Sequence, residues 1–239
     1  MMRDALKRLS KPRFLLVYPL AVWLFVAAVT SERSFRIGIV LVSLGETLRL
    51  WANGYVGHVK VNRTQQARGD TKIGRLITAG PYAFVRHPLY LGTFLIGLGF
   101  CLTVENIWVS LVALLFFLVV YGAKMRKEER LLLDECGVAY ARYLAAVPRW
   151  LPFGKRYADR QGQWSWQGIA ASKELKTVVW IMVTFLALYL REELWQEREP
   201  FSFKHALVTA VIAMLILWDV VGELRKRLRR QSLQTSPSS

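Results

Sequence analysis

The sequence contains only two cysteines, Cys101 and Cys136, among its 239 residues. Two cysteines, one of them inside an apolar run, fit neither a disulfide framework nor a zinc site, and we expect no metal. Acidic residues are also few, 17 against 33 Lys and Arg, so the net charge is +16. Such a charge often indicates nucleic-acid binding, but uncharged runs of membrane-spanning length have no role in that class. We therefore expect no nucleic-acid partner, and we assign the basic excess to anionic lipid head groups.

Long apolar stretches with little or no charge divide the chain. A helix needs about 20 residues to cross the hydrocarbon core of a bilayer. The last two stretches are shorter and have Lys176 and Asp219 at their edges. The pattern predicts an all-α fold, a polytopic membrane helix bundle of about six transmembrane helices. The predicted spans are residues 14–30, 37–57, 89–104, 107–123, 177–190 and 205–222.

The distribution of positive charge orients these spans. Most Lys and Arg residues outside them fall on the N-terminus, the C-terminal tail and alternate connections, and positive charge is retained on the cytoplasmic side during insertion. We therefore expect an integral, multi-pass membrane protein with both termini cytoplasmic. The first run could instead be a signal peptide, but its apolar core is long and no soluble secreted domain follows it. Residues 1–175 are expected to form a core of four spans, and residues 176–239 two additional spans and a basic, disordered tail.

One pair of charges lies inside a predicted span. Glu46 and Arg49 are three residues apart and share a helical face, so they can pair. A charged pair at this depth must face the bundle interior or a wet cavity. It is either a structural ion pair or a contact for cofactor or substrate. On the second interpretation, the predicted substrate-binding residues are Glu46, Arg49 and the nearby Trp51.

A dense motif precedes the third predicted span. Gly80 and Pro81 indicate a turn, and Pro88 disfavours a helical conformation for His87. Arg86 and His87 are therefore expected at the membrane surface, at the start of a helix whose free amides favour anions.

A second motif continues the fourth predicted span into the cytoplasm. Glu128, Leu132 and Glu135 recur at helical spacing, Gly137 is a plausible break, and Pro148 and Pro152 end any helix. On charge pattern alone, this segment is a solvated amphipathic helix on the membrane.

Together these segments resemble the isoprenylcysteine carboxyl methyltransferase family and the related phospholipid methyltransferases. The first is similar to the family's GPYxxVRHPxYxG motif, the second to its EExxLxxxFGxxYxxYxxxVPRxxP motif, and residues 48–52 to its LRxWA element. The resemblance covers roughly residues 40–153. Two features depart from it: Cys136 stands where the family usually has Phe, and two further spans follow residue 175.

The resemblance implies a membrane enzyme that transfers the methyl group of S-adenosylmethionine to a lipophilic acceptor from the bilayer. It implies catalytic roles for Arg86, His87 and Glu129. The implied cofactor-binding residues are Tyr82, His87, Pro88, Tyr90, Gly92, Glu128, Glu129, Tyr140 and Arg149.

Several alternatives stay open at this stage. The acceptor is a prenylated cysteine carboxylate or a phospholipid amine, and a homo-oligomer is possible. Gly92, Gly97 and Gly99 either let helices approach closely or, for the last two, contact the cofactor as in related enzymes. Sterol reductases, which use NADPH, look similar around Tyr140 and Pro148. A transporter or scaffold would leave both long motifs unexplained.

Overall fold

The computed structural model describes residues 23, 25, 26, 28–56, 76–152, 154–172 and 174–235. Most of the predicted span 14–30 therefore lies outside the described residues. In the described part, every regular element is helical and no strand occurs, as the sequence predicts. A 3-10 turn covers Gly80–Ala83, and a π-helical turn covers Glu192–Gln196. The α-helices are α1 Glu32–Val56, α2 Pro88–Val104, α3 Ile107–Ala146, α4 Trp166–Ala171, α5 Glu174–Arg191 and α6 Phe203–Thr235.

Two described helices have the length and composition to cross a membrane. They are Ile107–Ala146 and Phe203–Arg225, while the apolar helix Pro88–Val104 is shorter. A count of six spans thus stays a prediction.

The helix boundaries follow local sequence signals. Helix α2 begins at Pro88, as the proline predicts, and Asn106 caps α3 by accepting a hydrogen bond from the Val109 amide at 3.1 Å. Gly137 interrupts α3 with φ 51° and ψ −125°, a backbone conformation that favours glycine, so the predicted break is confirmed. From residue 107 to this break the helix is about 45 Å long, more than the hydrocarbon thickness of about 30 Å. If the first turns of α3 lie in the hydrocarbon core of a bilayer, its C-terminal part therefore extends beyond that core.

Helices α1 and α2 pack with their backbones almost in contact. A Cβ atom placed on Gly45 would lie 2.7 Å from the Gly92 carbonyl oxygen, and one on Gly99 would lie 2.8 Å from the Gly38 oxygen. By contrast, nothing lies within 4 Å of a Cβ on Gly97. Gly92 and Gly99 therefore act as the small residues that close helix packing requires.

The residues group into two compact units, Met1–Glu174 and Leu175–Ser239. In the second unit, Lys176 on α5 pairs with Asp219 on α6 at 2.8 Å, so the two charges that flank the last predicted spans neutralise each other. The turn between these helices carries a further cluster, in which Glu193 accepts from His205 at 2.8 Å and also from Lys204. Helix α6 continues to Thr235, through part of the tail that the sequence predicts as disordered.

Candidate active site at Glu129

The two sequence motifs meet at the carboxylate of Glu129 on α3, which is 8% exposed. Its Oε1 accepts hydrogen bonds from Arg86 Nη1 at 2.9 Å and Arg149 Nε at 3.0 Å, and it lies 3.1 Å from His87 Nε2. Its Oε2 accepts from Arg149 Nη2. The three residues predicted as catalytic, Arg86, His87 and Glu129, are thus brought together, and Arg149 joins them.

Backbone contacts fix the loops that carry these cations. The Arg86 amide donates to the Pro148 carbonyl at 2.9 Å, which joins the end of the first motif to the end of the second. The hydroxyl of the buried Tyr143 donates to the Tyr82 carbonyl at 2.7 Å. Because Arg86 and Arg149 belong to joined loops, both guanidinium groups are held against the same carboxylate.

The donors around Glu129 determine its protonation. Burial by itself would raise the pKa of this carboxyl. Hydrogen bonds from His87 and Arg149 and the charge of Arg86 outweigh burial and lower the pKa to about 2. Glu129 is therefore ionised at neutral pH, and it only accepts hydrogen bonds. His87 Nε2 must then carry a proton, since it faces an acceptor.

This lowered pKa predicts a specific loss of stability in acid. The ordinary pKa of 4.5 falls to about 2 on folding, so the stabilisation is complete above pH 4.5 and is lost as the pH falls towards 2. At about 1.4 kcal/mol per pKa unit, the loss is at most about 3.5 kcal/mol. Thermal unfolding of the detergent-purified protein between pH 7 and 2 measures it. The Glu129→Gln variant should lose less stability over pH 4.5–2 than wild type, and equal slopes would contradict the assignment.

The neighbouring carboxylate, Glu128, faces α2. It accepts a hydrogen bond of 2.5 Å from the Tyr90 hydroxyl, and the Tyr90 ring stacks on His87 with centroids 5.5 Å apart. The Lys124 ammonium lies 4.7 Å from the Tyr90 ring centroid. Glu128, Tyr90 and His87 therefore form one continuous polar and aromatic surface with the Glu129 cluster.

The remaining predicted cofactor residues surround this surface at different depths. Tyr140 is 1% exposed, and burial followed by the charge of Glu129 raises the pKa of its hydroxyl. Pro88 is buried as the first residue of α2, while the Tyr82 carbonyl is engaged by Tyr143. Gly92 faces Arg49 and the Gly45 carbonyl on α1. Their contacts with a cofactor stay predictions.

Glu46 and Arg49, predicted to bind substrate, lie in a second buried charged cluster. Arg49 holds Glu174 through two hydrogen bonds, Nε to Oε2 at 3.0 Å and Nη2 to Oε1 at 2.9 Å, and it also donates to Thr93 on α2. Glu46 Oε2 lies 3.7 Å from Arg49 Nε. Glu174 is only 3% exposed, so this contact supports the structural interpretation of the pair. Trp51 is 42% exposed, and its role in binding stays a prediction.

Sequence reasoning missed the segment from Tyr157 to Glu174. The Tyr157 amide donates to the Ala83 carbonyl at 3.0 Å, and Gln161 exchanges backbone and side-chain hydrogen bonds with the buried Thr78. The Ser165 amide donates to the Gly54 carbonyl at 2.9 Å at the end of α1. The segment thus braces the turn that leads to Arg86 and His87. The glycine and tryptophan residues of this segment are the sequence features that could have indicated its structural role, but they do not show which residues the segment contacts.

Comparisons with known proteins agree with the motif resemblance. Residues 33–135 match the family model described as phospholipid methyltransferase. The chain is 30% identical over 154 residues to the cobalt-zinc-cadmium resistance protein CzcN of Cupriavidus metallidurans, covering 64% of each protein. It is 32% identical over 122 residues to the human protein-S-isoprenylcysteine O-methyltransferase, which covers 49% of this chain and 41% of that protein.

The similarity is partial in extent. The chain spans less than two thirds of the length of these relatives. No solved structure matches it. Among the described residues, no group of three or more His, Cys, Asp or Glu side chains is arranged to hold a metal ion.

Proposed function

We propose that this chain is an enzyme that transfers the methyl group of S-adenosylmethionine to a lipophilic acceptor in a membrane, because residues 33–135 match the phospholipid methyltransferase family model. The observation that carries the proposal is the Glu129 cluster. There, three donors from two distant motifs, Arg86, His87 and Arg149, converge on one buried carboxylate.

The residues present suit the proposed cofactor. S-adenosylmethionine supplies a methyl group on a positively charged sulfonium and also carries an amine and a carboxylate. Arg86 has a buried Nε without a hydrogen-bond partner among the described residues, so this cation can still bind a carboxylate. Glu128 and the ring of Tyr90 suit the positively charged groups. The Tyr90–Glu128 hydrogen bond, at the start of α2, orients both partners for this role.

The protonation of the site limits which residue can act as a base. A carboxylate acceptor attacks the methyl carbon without losing a proton, whereas an amine must give one up. Glu129 is a poor proton acceptor because its pKa is about 2. His87 directs Nε2–H to Glu129, so its Nδ1 is the lone pair left to accept a proton from an amine.

The proposed reaction needs a dry site next to the bilayer. Excluding water and orienting the acceptor supply much of the acceleration of methyl transfer. Phe94 on α2 and Phe117 on α3 contact each other with centroids 5.3 Å apart, and Trp150 lies 5.9 Å from Phe117. This aromatic wall adjoins Tyr90 through Tyr121. We propose that the acceptor enters along it, in a multi-pass protein with six spans and cytoplasmic termini.

Transfer of a labelled methyl group tests the function. The purified protein is incubated with methyl-labelled S-adenosylmethionine and a total lipid extract, and labelled lipids are separated. We expect label in the lipid fraction with wild type and loss of about 10²-fold or more with His87→Ala when the acceptor is an amine. If the wild-type protein transfers no label to either lipid or prenylcysteine acceptors, the proposal is contradicted.

A further inference from the structure

The side chain of Thr78 joins two distant segments of the chain within the first unit. Thr78 is 2% exposed. Its hydroxyl donates to the Asp159 carbonyl oxygen at 2.7 Å and accepts from the Gln161 amide at 2.8 Å, residues that lie 81 and 83 positions away. The Thr78 amide also donates to the Gln161 carbonyl oxygen, at 2.9 Å. One threonine therefore makes three hydrogen bonds to the second segment, two of them through its hydroxyl.

The chain between Thr78 and Arg86 is held at several points. It contains the 3-10 turn Gly80–Ala83, which is mostly buried. Within it, the Pro81 carbonyl oxygen accepts from the amides of residues 84 and 85, both at 3.1 Å. Close-packed and hydrogen-bonded structure of this kind transmits a displacement instead of absorbing it. The position of Thr78 therefore affects the position of Arg86.

Resting on the proposed function, we infer that Thr78 is a positioning residue for methyl transfer. Its hydroxyl, bonded to residues 159–161, fixes the start of the turn. The end of the turn then presents Arg86 and His87 to Glu129, at the 2.9 and 3.1 Å described above. Thr78 acts through these residues and supplies no group to the reaction. A misplacement of about 1 Å in such a site can reduce the rate by about 10²-fold.

The role depends on the hydroxyl group and not on the volume of the side chain. A hydroxyl donates and accepts at the same time, which is what the Asp159 carbonyl and the Gln161 amide require. Valine has nearly the same shape but can do neither, so both backbone groups would lose a partner in a partly buried place. Serine keeps both hydrogen bonds.

The acid dependence of stability reports whether Arg86 and His87 are in place, without relying on methyl transfer. Against burial, which would raise it, hydrogen bonds and nearby positive charge hold the pKa of Glu129 at about 2 instead of 4.5. The resulting stabilisation is present above pH 4.5 and is lost as the pH falls towards 2. If the two donors move away, the pKa of Glu129 in the folded protein returns towards its ordinary value, and less stabilisation is left to lose.

Variants of the full-length protein in detergent test the inference. Thr78→Val should reduce the fall in melting temperature between pH 4.5 and 2 by about half relative to wild type, and should lower methyl transfer by about tenfold or more. Thr78→Ser should restore both to near wild type. If Thr78→Val is not recovered as a folded protein, Thr78→Ala removes the same hydroxyl and takes its place, with the same expected results.

Thr103→Val is the matched control. Thr103 is also buried in the first unit, but its hydroxyl donates to the Gly99 carbonyl oxygen of its own helix, at 2.9 Å. This variant should keep the wild-type acid dependence and methyl transfer.

Three results would overturn the inference: Thr78→Val keeps the wild-type acid dependence, Thr78→Ser loses it like Thr78→Val, or Thr103→Val loses it equally. Failure of the proposed function would appear separately, as absence of methyl transfer by wild type, and the melting temperatures would still decide whether Thr78 positions Arg86 and His87.

Discussion

Glu129→Ala is expected to abolish the proposed methyl transfer and to destabilise the first unit by about 3 kcal/mol. The substitution removes the carboxylate that Arg86, His87 and Arg149 share as a hydrogen-bonding partner. Arg86 is largely buried, so its charge cannot regain full hydration, and it would face a second guanidinium without compensation. The measurements are labelled-methyl transfer and thermal unfolding of the purified variant.

Glu135→Ala is the matched control for this variant. Glu135 lies on the same helix but is exposed, and its removal should change stability by less than about 0.5 kcal/mol. Glu129→Gln separates the two effects, because it keeps the side-chain volume while removing the charge. If Glu129→Ala retains normal activity and stability, Glu129 is not the centre of the site.

Arg49→Ala is expected to destabilise the protein by about 3–5 kcal/mol. Arg49 donates two hydrogen bonds to Glu174 and lies 3.7 Å from Glu46. Its removal leaves two buried carboxylates together without their cation. The attachment of residues 157–174 to α1 would weaken, and with it the bracing of the turn before Arg86. Thermal or denaturant unfolding measures the loss.

Arg36→Ala provides the comparison on the same helix. Arg36 pairs with Glu32, but both side chains are exposed, at 76% and 81%. Such surface pairs contribute about 0–1 kcal/mol, so this variant should resemble wild type. If the Arg49→Ala and Arg36→Ala variants are equally stable, the buried cluster around Arg49 does not hold residues 157–174 against α1. Replacing Glu46 and Glu174 by Gln in the Arg49→Ala background should restore part of the loss.

The features that local sequence determines could be predicted. Pro88 disfavours a helical conformation for His87, and α2 indeed begins at Pro88. Gly137 interrupts α3 because glycine adopts positive φ without strain. The convergence of Arg86, His87 and Glu129 followed from the motifs and not from spacing, since 42 residues or more separate the carboxylate from its first two donors.

Partners that are distant in sequence could not be predicted. Glu46 lies within reach of Arg49 by helical spacing, yet the hydrogen bonds of Arg49 go to Glu174, 125 residues away. No periodicity encodes such a pairing, because it depends on how the chain after residue 152 returns to α1. Likewise, the sequence did not indicate that Arg149 contacts Glu129, and its place beside the cofactor stays a prediction. The contact of Lys124 with the Tyr90 ring depends on the position of another helix.

Calorimetric titration of S-adenosylmethionine, and separately of NADPH, into the detergent-purified protein tests the central claim most directly. The account predicts micromolar binding of S-adenosylmethionine, its loss in Glu129→Ala, and no binding of NADPH. Binding of NADPH alone would contradict the methyltransferase assignment, and so would the absence of S-adenosylmethionine binding by a folded wild-type protein.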